Sequence, residues 1–289
     1  MGHAAMRRRA ALGLAALLAL SGFGSARALA PAEMPAMTAS EIVARNAAAR
    51  GGVEAWRKID TMAWTGYAES TNAPGRRVPF LLEQKRPGKT RFEIVEPSGA
   101  KAVRAYDGAA GWKLRPAVGG PPEIAPYAAD ELSFARGAQV IEGPLMDYVA
   151  GGAIVSLLGA DTIEGRKAHV LDIRVPSGGL HRVWIDAGSF LELRHDREFH
   201  DAAGRTVVAT VRYRDYHAFE GLQMPVTIET GGAKGQPTNR LTIERVALNP
   251  PIDDKAFERP ASLSARRGRV TVDTRGAAAP NAPDAARRP

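Results

Sequence analysis

Between Thr61 and Val246, apolar and polar side chains alternate over short runs that are separated by turn-forming residues. A period of two puts successive side chains on opposite faces of a β-strand, and Gly, Pro, Asn and Asp between the runs favour tight turns. The pattern predicts an up-and-down meander of five strands, followed after an interruption by seven more. The predicted strands are residues 62–69, 78–85, 90–95, 101–106, 111–114, 154–163, 167–175, 180–186, 190–200, 206–216, 223–230 and 239–246.

A helix is predicted immediately before the strands. Thr38 is followed by Glu41 at the spacing of a capping box, and the helix is expected to run to about Arg50, where Gly51-Gly52 provides a left-handed stop. Apolar residues then recur at one-turn spacing from residue 53 to 59, which predicts a second short helical turn. A long flat sheet would expose apolar surface and open edges, so we expect these helices to pack on it.

The segment from Ala117 to Gly152 interrupts the strand pattern. It is rich in proline up to Pro126, it has helical character over residues 127–136, and a second helical turn is predicted over residues 144–149. A connection of this length inside a sheet usually packs over one of its faces. We therefore expect the insertion to act as a lid.

The amino terminus has the features of a secretory signal peptide. Arginines at positions 7–9 precede an apolar run from residue 10 to 20, and a small-x-small pattern predicts cleavage near Ala28. A membrane anchor is the alternative, but the run is shorter than the ~20 residues that span a bilayer. The chain has no cysteine, which excludes a lipidated cysteine, disulfides and thiolate chemistry. We expect a periplasmic protein with a signal peptide at 1–28, a flexible leader at 29–37, and no transmembrane segment in the mature chain.

The formal net charge of +8 and the pI near 10 would fit a nucleic-acid-binding protein. However, residues 1–28 contain four arginines and no acid, and residues 261–289 contain six arginines against Asp273 and Asp284. These two ends account for the whole excess, so residues 29–260 are formally neutral and no folded nucleic-acid surface is predicted. The Arg/Ala/Pro-rich tail from residue 261 to 289 is expected to be disordered.

A series of short motifs extends over most of the region from Ser40 to Pro260. The motifs are Gly51-Gly52 with Trp56 and Gly66, Tyr106–Trp112, Pro144–Tyr148, Leu158-Gly159 with residues 164–166, Trp184–Asp186, Gly221–Pro225, and Asn249–Pro251 with Phe257 and Pro260. In this order and spacing they resemble the LolA-like family of outer-membrane lipoprotein-sorting proteins.

The resemblance implies a mainly β domain over residues 38–260: a strongly curved antiparallel half-barrel of about 11–12 strands. The N-terminal helix and the helical insertion would cover its concave face over an apolar cavity for the acyl chains of a lipid or lipoprotein. A monomeric, non-enzymatic periplasmic carrier without cofactor or metal is the expected function. An envelope protein-interaction or stress-sensing module that binds membrane proteins, and a hydrolase with a dispersed site, are alternatives.

Large apolar side chains at alternate positions are the candidates for lining such a cavity. Core packing beneath the helices is the alternative for each one. One helix and one insertion must cover about a dozen strands, however, and this leaves apolar concave surface for a ligand. The candidates are Met62, Trp64, Phe80, Leu82, Phe92, Ile94, Trp112, Leu114, Val183 and Ile185 on the strands, and Met146 and Tyr148 on the candidate lid.

The predicted strand at residues 190–200 carries polar side chains on both faces. Alternation puts Asp196, Glu198 and His200 on one face, an arrangement that a metal could use if further ligands came from elsewhere. His195 and Arg197 fall on the other face. A solvated convex face is the favoured interpretation. No G-x-S-x-G or H-E-x-x-H motif is present, and we predict neither a catalytic residue nor a metal site.

Overall fold

A computed structural model describes residues 37–117, 120–136, 141–146, 148–176, 179–201, 203–232 and 237–260. The expected signal peptide at 1–28, the leader before Met37 and the tail at 261–289 lie outside the described residues. Within the described ranges, every helix is too short or too polar to cross a membrane.

The described residues form a mainly β structure with three α-helices and one 3-10 turn. The helices are α1 (Ala39–Ala49), α2 (Val53–Arg57) and α3 (Ala129–Arg136), and the 3-10 turn is Asp254–Ala256. The strands are β1 (Thr61–Ser70), β2 (Ala73–Lys85), β3 (Lys89–Val95), β4 (Lys101–Tyr106), β5 (Gly111–Arg115), β6 (Glu123–Pro126), β7 (Ile154–Ile163), β8 (Arg166–Arg174), β9 (Leu180–Asp186), β10 (Glu192–His200), β11 (Thr206–Phe219), β12 (Leu222–Gly232) and β13 (Asn239–Leu248).

All thirteen strands belong to one antiparallel sheet that does not close into a barrel. Strands β1 to β6 form one meander and β7 to β13 form a second, and the two meet where β1 pairs with β13, with Trp64 opposite Val246. Strands β6 and β7 are therefore the two edges. The chain between them must cross from one edge of the sheet to the other, so this connection covers a face.

The predicted half-barrel class is confirmed, and all twelve predicted strands are present. A thirteenth strand, β6, was not predicted because its four residues end at Pro126 and are too short to show a period of two. Proline fits there because β6 is an edge. The prediction of a helical turn over residues 144–149 is wrong. Residues 144–146 and 148–149 form bends and turns, flanked by Gly143 (φ 79°) and Gly152 (φ 69°).

Helix α1 begins as the capping box predicts. The Thr38 hydroxyl accepts a hydrogen bond from the Glu41 amide at 3.3 Å, and the Glu41 carboxylate accepts one from the Thr38 amide at 2.7 Å. Both bonds satisfy amide groups that a helix leaves unpaired at its start. The helix stops just before Gly51, as predicted. Gly51 has a φ of 107°, which favours glycine, and a Cβ at this position would lie 2.6 Å from the Gly221 carbonyl oxygen.

The face of the sheet that carries Met62 is covered by the helices, and we call it the inner face. Met62 is fully buried in a cluster with Trp56 of α2, and Ile141 and Met146 of the crossing segment complete this cluster. A second cluster packs α1 against β8 and β9. Helix α3 contacts both β5 and β10, strands that stand near opposite ends of the sheet order. Such distant strands share one helix only because the sheet curves strongly.

The opposite face, which we call the outer face, has its own small clusters and a ladder of ion pairs. Trp112 and Leu114 pack there with Val103 and Ala105. Arg91 lies between Glu83 and Glu93 on neighbouring positions of this face. The register explains the placement, because residues that stand opposite each other in paired strands share a face. The outer face therefore consists largely of paired charges around a few apolar patches.

Candidate functional site: the cavity of the inner face

A cavity of about 290 Å³ lies between the inner face of the sheet and its cover. The sheet contributes side chains from β1, β2 and β9 to β13, and the cover contributes residues of α1, α2 and the segment 141–145. The lining residues are Arg50, Trp56, Trp64, Leu82, Gln84, Ile141, Gly143, Pro144, Leu145, Val183, Glu192, His195, Val211, Tyr213, Tyr216, Met224, Pro225, Ile228, Thr230 and Leu241. Most of these side chains are apolar. The charged and most of the polar ones are Arg50 at the end of α1 and residues of β10 and β11, while Gln84 of β2 and Thr230 of β12 add two more polar groups.

Three of the predicted cavity residues line this cavity. Trp64 and Leu82 stand opposite each other on β1 and β2, and Val183 extends from β9. The Trp64 indole nitrogen is buried and has no hydrogen-bond partner among the described residues. The apolar wall therefore contains one free donor.

The other predicted cavity residues lie elsewhere. Met62, Met146 and Ile185 are buried in the core beneath the helices, and Tyr148 packs against the α1 cluster. Phe80, Phe92 and Ile94 share a cluster with Trp64 and extend the apolar inner face beyond the cavity. Trp112 and Leu114 lie on the outer face. The sequence-based assignment of this last pair to the cavity is corrected. Trp112 stands opposite Ala105, and the residues opposite one another on β4, β3, β2 and β1 lead from Ala105 to Ala63. Ala63 is next to Trp64 in the chain and therefore faces the other way.

A buried ion pair closes one side of the cavity. Arg50 Nη1 lies 3.2 Å from Glu192 Oε1 and donates a 2.6 Å hydrogen bond to the carbonyl oxygen of Glu142 in the cover. The Tyr216 hydroxyl lies 3.1 Å from Glu192 Oε2, and burial together with the Glu192 charge raises the pKa of Tyr216 well above its usual value. The Arg50 guanidinium also stacks over Trp56, 4.4 Å from the ring. Arg50 therefore connects α1, the sheet and the cover.

Neutral polar groups continue along the wall. His195 Nε2 lies 3.0 Å from His181 Nδ1, so one ring donates to the other. Burial, followed by the nearby Arg197 charge, lowers the pKa of His181 to about 4. Burial, followed by His181 and Arg197, lowers the pKa of His195 to about 3. Tyr213 borders the cavity on the next strand, where burial is the main cause of its raised pKa. At neutral pH these three side chains present hydrogen-bonding groups without a net charge.

Two irregularities in the strands bring these polar groups together. The register between β10 and β9 shifts between Glu192 and Arg194, so that both Glu192 and His195 face inward although they are three residues apart. In β11, Asp215 has a φ of 55°, and Tyr213 and Tyr216 on either side of it both line the cavity. Strict alternation would have separated each pair. Sequence reasoning placed His195 on the face opposite Asp196 but assigned none of the four residues to a cavity, because neither irregularity has a turn or glycine signal.

Helix α3 lies over the same strands. Phe134 packs on Phe199 with ring centroids 5.2 Å apart, and the Arg197 guanidinium lies 3.5 Å from the Phe134 ring centroid. At the other half of the sheet, on the same inner face, Glu131 accepts from Lys113 at 2.6 Å and from Arg104 at 2.7 Å. Partial burial opposes the ionisation of Glu131, but these donors outweigh it and its pKa is lowered to about 2. Helix α3 is therefore held to both halves of the sheet.

On strand β10, the face that the sequence offered as a possible metal face is the outer face. Asp196 pairs with Arg194 and accepts a hydrogen bond from Thr210 on the outer face. Within the described residues, no group of three His, Asp or Glu side chains is arranged to hold a metal ion. The inner face of this strand carries His195 and Arg197 and borders the cavity region.

A larger cleft of about 730 Å³ lies on the outer face, between Glu69, Glu164 and Arg212. Its floor is Glu229, which is 3% exposed and paired with Arg214 and Arg240. Glu229, Arg214 and Arg240 satisfy one another, and the cleft has no apolar wall comparable with that of the inner cavity. We therefore place the candidate site on the inner face.

No protein-family model matches the sequence, and no curated protein matches it. Solved structures do match the fold. A LolA superfamily protein from Nitrosomonas europaea matches over 78% of this chain and 99% of that chain, with 17% sequence identity and a TM-score of 0.50. A putative outer-membrane lipoprotein-sorting protein domain from Vibrio parahaemolyticus matches over 75% and 94%, with 14% identity and a TM-score of 0.50. The protein has a LolA-like fold.

Proposed function

We propose that the protein is a periplasmic, non-enzymatic carrier or binding protein that holds an acyl chain of a lipid or lipoprotein in the inner-face cavity. The observation that carries this proposal is the cavity itself, which has apolar walls and lies under a cover joined to the sheet by Arg50. The names of the two fold neighbours, a LolA superfamily protein and a lipoprotein-sorting domain, support the ligand class and the compartment.

The size of the cavity limits what it can hold in this state. Its volume of about 290 Å³ is at the lower end of the ~300–1,000 Å³ of typical ligand pockets. Each buried methylene group contributes about 0.8 kcal/mol, so even part of one acyl chain provides useful affinity. A larger lipid requires the cover to move. The segment at Ile141–Met146 would have to release the bond between Arg50 and the Glu142 carbonyl oxygen.

Uptake of a fluorescent fatty acid by the mature chain tests the proposal. Val211→Phe should fill the cavity and reduce uptake severalfold, because Val211 lines it. Val207→Phe is the matched control: it lies on the same face of the same strand, but it is exposed and outside the lining. Native mass spectrometry of protein from its own envelope should show a bound lipid. An empty protein that also fails to take up the probe would refute the proposal.

An envelope protein-interaction module is a second candidate, and one observation favours it. Edge strand β7 is exposed along most of its length, and its Ile154 and Leu158 are 68% and 52% exposed. An exposed apolar edge is a template for adding a partner's strand.

Crosslinking in intact cells separates the two candidates. A photoreactive residue at Leu158 should capture one discrete protein if β7 is an interface, whereas the same residue at exposed Glu244 of the outer face should not. Leu158→Lys should then abolish capture and leave fatty-acid uptake unchanged. Equal labelling at both positions would count against an edge interface.

A further inference from the structure

One cation of the inner face has no opposite charge. Arg197 extends from β10 two residues beyond His195, and its Nη2 is buried without a hydrogen-bond partner among the described residues. No ion pair in the described part of the chain includes it; its recorded contact is the ring of Phe134. Leaving a buried guanidinium nitrogen unpaired is costly, because burial removes its water.

The neighbours of Arg197 do not neutralise it. His181 stands opposite Arg197 on β9, and both His181 and His195 are neutral at physiological pH because burial lowers their pKa values. Burial also lowers the pKa of Arg197, to about 10, so it stays protonated. The carboxylate of Glu192 is already paired with Arg50. One uncompensated positive charge therefore lies beside the polar end of the cavity, two residues beyond His195.

Tyr213 connects this charge to the cavity. Its side chain lines the cavity together with Val211 and with His195, which stands opposite Val211 two residues before Arg197 on the same face. Consistent with this placement, Arg197 and Tyr213 influence each other's pKa. Its hydroxyl has no hydrogen-bond partner among the described residues. A guanidinium and a hydroxyl beside an apolar cavity are suited to an anionic oxygen group.

We infer that Arg197 and Tyr213 bind the anionic headgroup of an amphiphile whose acyl chain occupies the cavity. This inference rests on the proposed function and narrows its ligand class to acyl compounds that carry a carboxylate or phosphate near the chain. Phe134 of α3 covers the guanidinium. A bound headgroup takes the place of this contact or sits beside it.

Displacement of the fluorescent fatty acid from the mature protein at pH 8 tests the headgroup. The competitors are palmitate, hexadecyl phosphate and methyl palmitate, which share a chain of similar length and differ in charge. We expect at least one anion to bind about tenfold or more tightly than the ester, as a charged hydrogen bond in a buried site would give. The ratio between the two anions shows which headgroup fits.

Arg197→Gln should bring the affinities of the anions to within about twofold of the ester, while ester binding persists. Arg212→Gln is the matched control: Arg212 also has a buried nitrogen without a partner among the described residues, but it lies on the outer face, opposite Glu229. Arg197→Lys keeps the charge and should retain part of the preference, so it serves if the glutamine variant does not fold.

Equal affinity of the wild-type protein for palmitate and its methyl ester would overturn the inference and leave the carrier proposal standing. An equal loss of all three competitors in folded Arg197→Gln would also overturn it, because Arg197 would then only hold α3. Failure of every acyl compound to bind would instead refute the carrier proposal itself.

Discussion

The indole nitrogen of Trp112 donates a 2.7 Å hydrogen bond to the carbonyl oxygen of Phe257, on the face of the sheet away from the cavity. Phe257 is fully buried and lies just after the 3-10 turn, so this bond fastens the end of the described chain to β5. Trp64 has the reverse situation: it lines the cavity, and its indole nitrogen has no partner among the described residues. The indole nitrogen of Trp112 therefore stabilises the fold, whereas that of Trp64 is an unused donor in the cavity wall.

Trp112→Phe should lower the free energy of unfolding by about 1–3 kcal/mol, because the buried carbonyl of Phe257 loses its donor. Urea denaturation measures this loss, and fatty-acid uptake should stay unchanged. Trp64→Phe is the control, with a small effect on stability and a change in uptake. A change in uptake caused by Trp112→Phe alone would contradict the placement of Trp112 on the outer face.

Arg50→Met should destabilise the protein by about 3–5 kcal/mol, since it leaves the buried Glu192 carboxylate without its cation. The double variant Arg50→Met/Glu192→Gln should be more stable than the single variant because the unpaired charge is gone. Arg57→Met, at an exposed pair with Glu54, should change stability by less than about 1 kcal/mol. Chemical denaturation compares the three proteins. Equal stability of the single and double variants would contradict a charged, coupled pair.

Gly66→Ala should destabilise the protein by about 1–3 kcal/mol or more. A Cβ at this position would overlap the carbonyl oxygen of Thr242, where the register of β1 and β13 shifts. Backbone on both strands would have to separate. Gly88→Ala is the control, because nothing lies within 4 Å of a Cβ there. Thermal and urea unfolding of the two variants should differ clearly, and similar values would show that the bulge can open at little cost.

Stability should fall as the pH drops from about 6.5 towards 4. His181 and His195 have lowered pKa values when folded because burial disfavours their charged forms, so the unfolded chain binds more protons in this window. The slope is up to about 1.4 kcal/mol per pH unit for each histidine, and stability should level off above pH 7. His181→Asn/His195→Gln should flatten the slope between pH 5 and 6.5. The remaining slope belongs to His169, whose pKa burial also lowers, and, towards pH 4, to carboxylates such as Glu131 whose folded pKa is lowered. An unchanged slope in the double variant would rule out this pair as its source.

Phe134→Ala should loosen α3, since this ring contacts both Phe199 and the guanidinium of Arg197. Each contact is worth about 0.5–1.5 kcal/mol, so amide hydrogens of residues 129–136 should exchange severalfold faster. Hydrogen exchange read by mass spectrometry measures this, and Ser133→Ala on the exposed side of the helix serves as control. Unchanged exchange would show that the ion pairs of Glu131 hold α3 by themselves.

Much of the fold could be predicted because its signals are local. The capping box at Thr38 places the start of α1, and the bounds of β4, β7 and β9 agree with the predicted residues 101–106, 154–163 and 180–186. Alternation and turn chemistry act over a few residues, so the sequence states them directly. The curved sheet with a helical cover was implied by the resemblance of the motifs to LolA-like proteins.

The sequence by itself determined where strands and turns occur, and it divided each strand into two faces. Only the tertiary structure decided which face is inner, because that depends on register with neighbouring strands. Trp64 and Trp112 are both large apolar residues at alternating strand positions, so the sequence pattern does not distinguish them, yet they lie on opposite faces. The shift at Glu192 and the φ of 55° at Asp215 are likewise products of long-range pairing. They bring the charged and hydroxyl groups to the cavity, so the chemistry of the site appears only when the sheet is assembled.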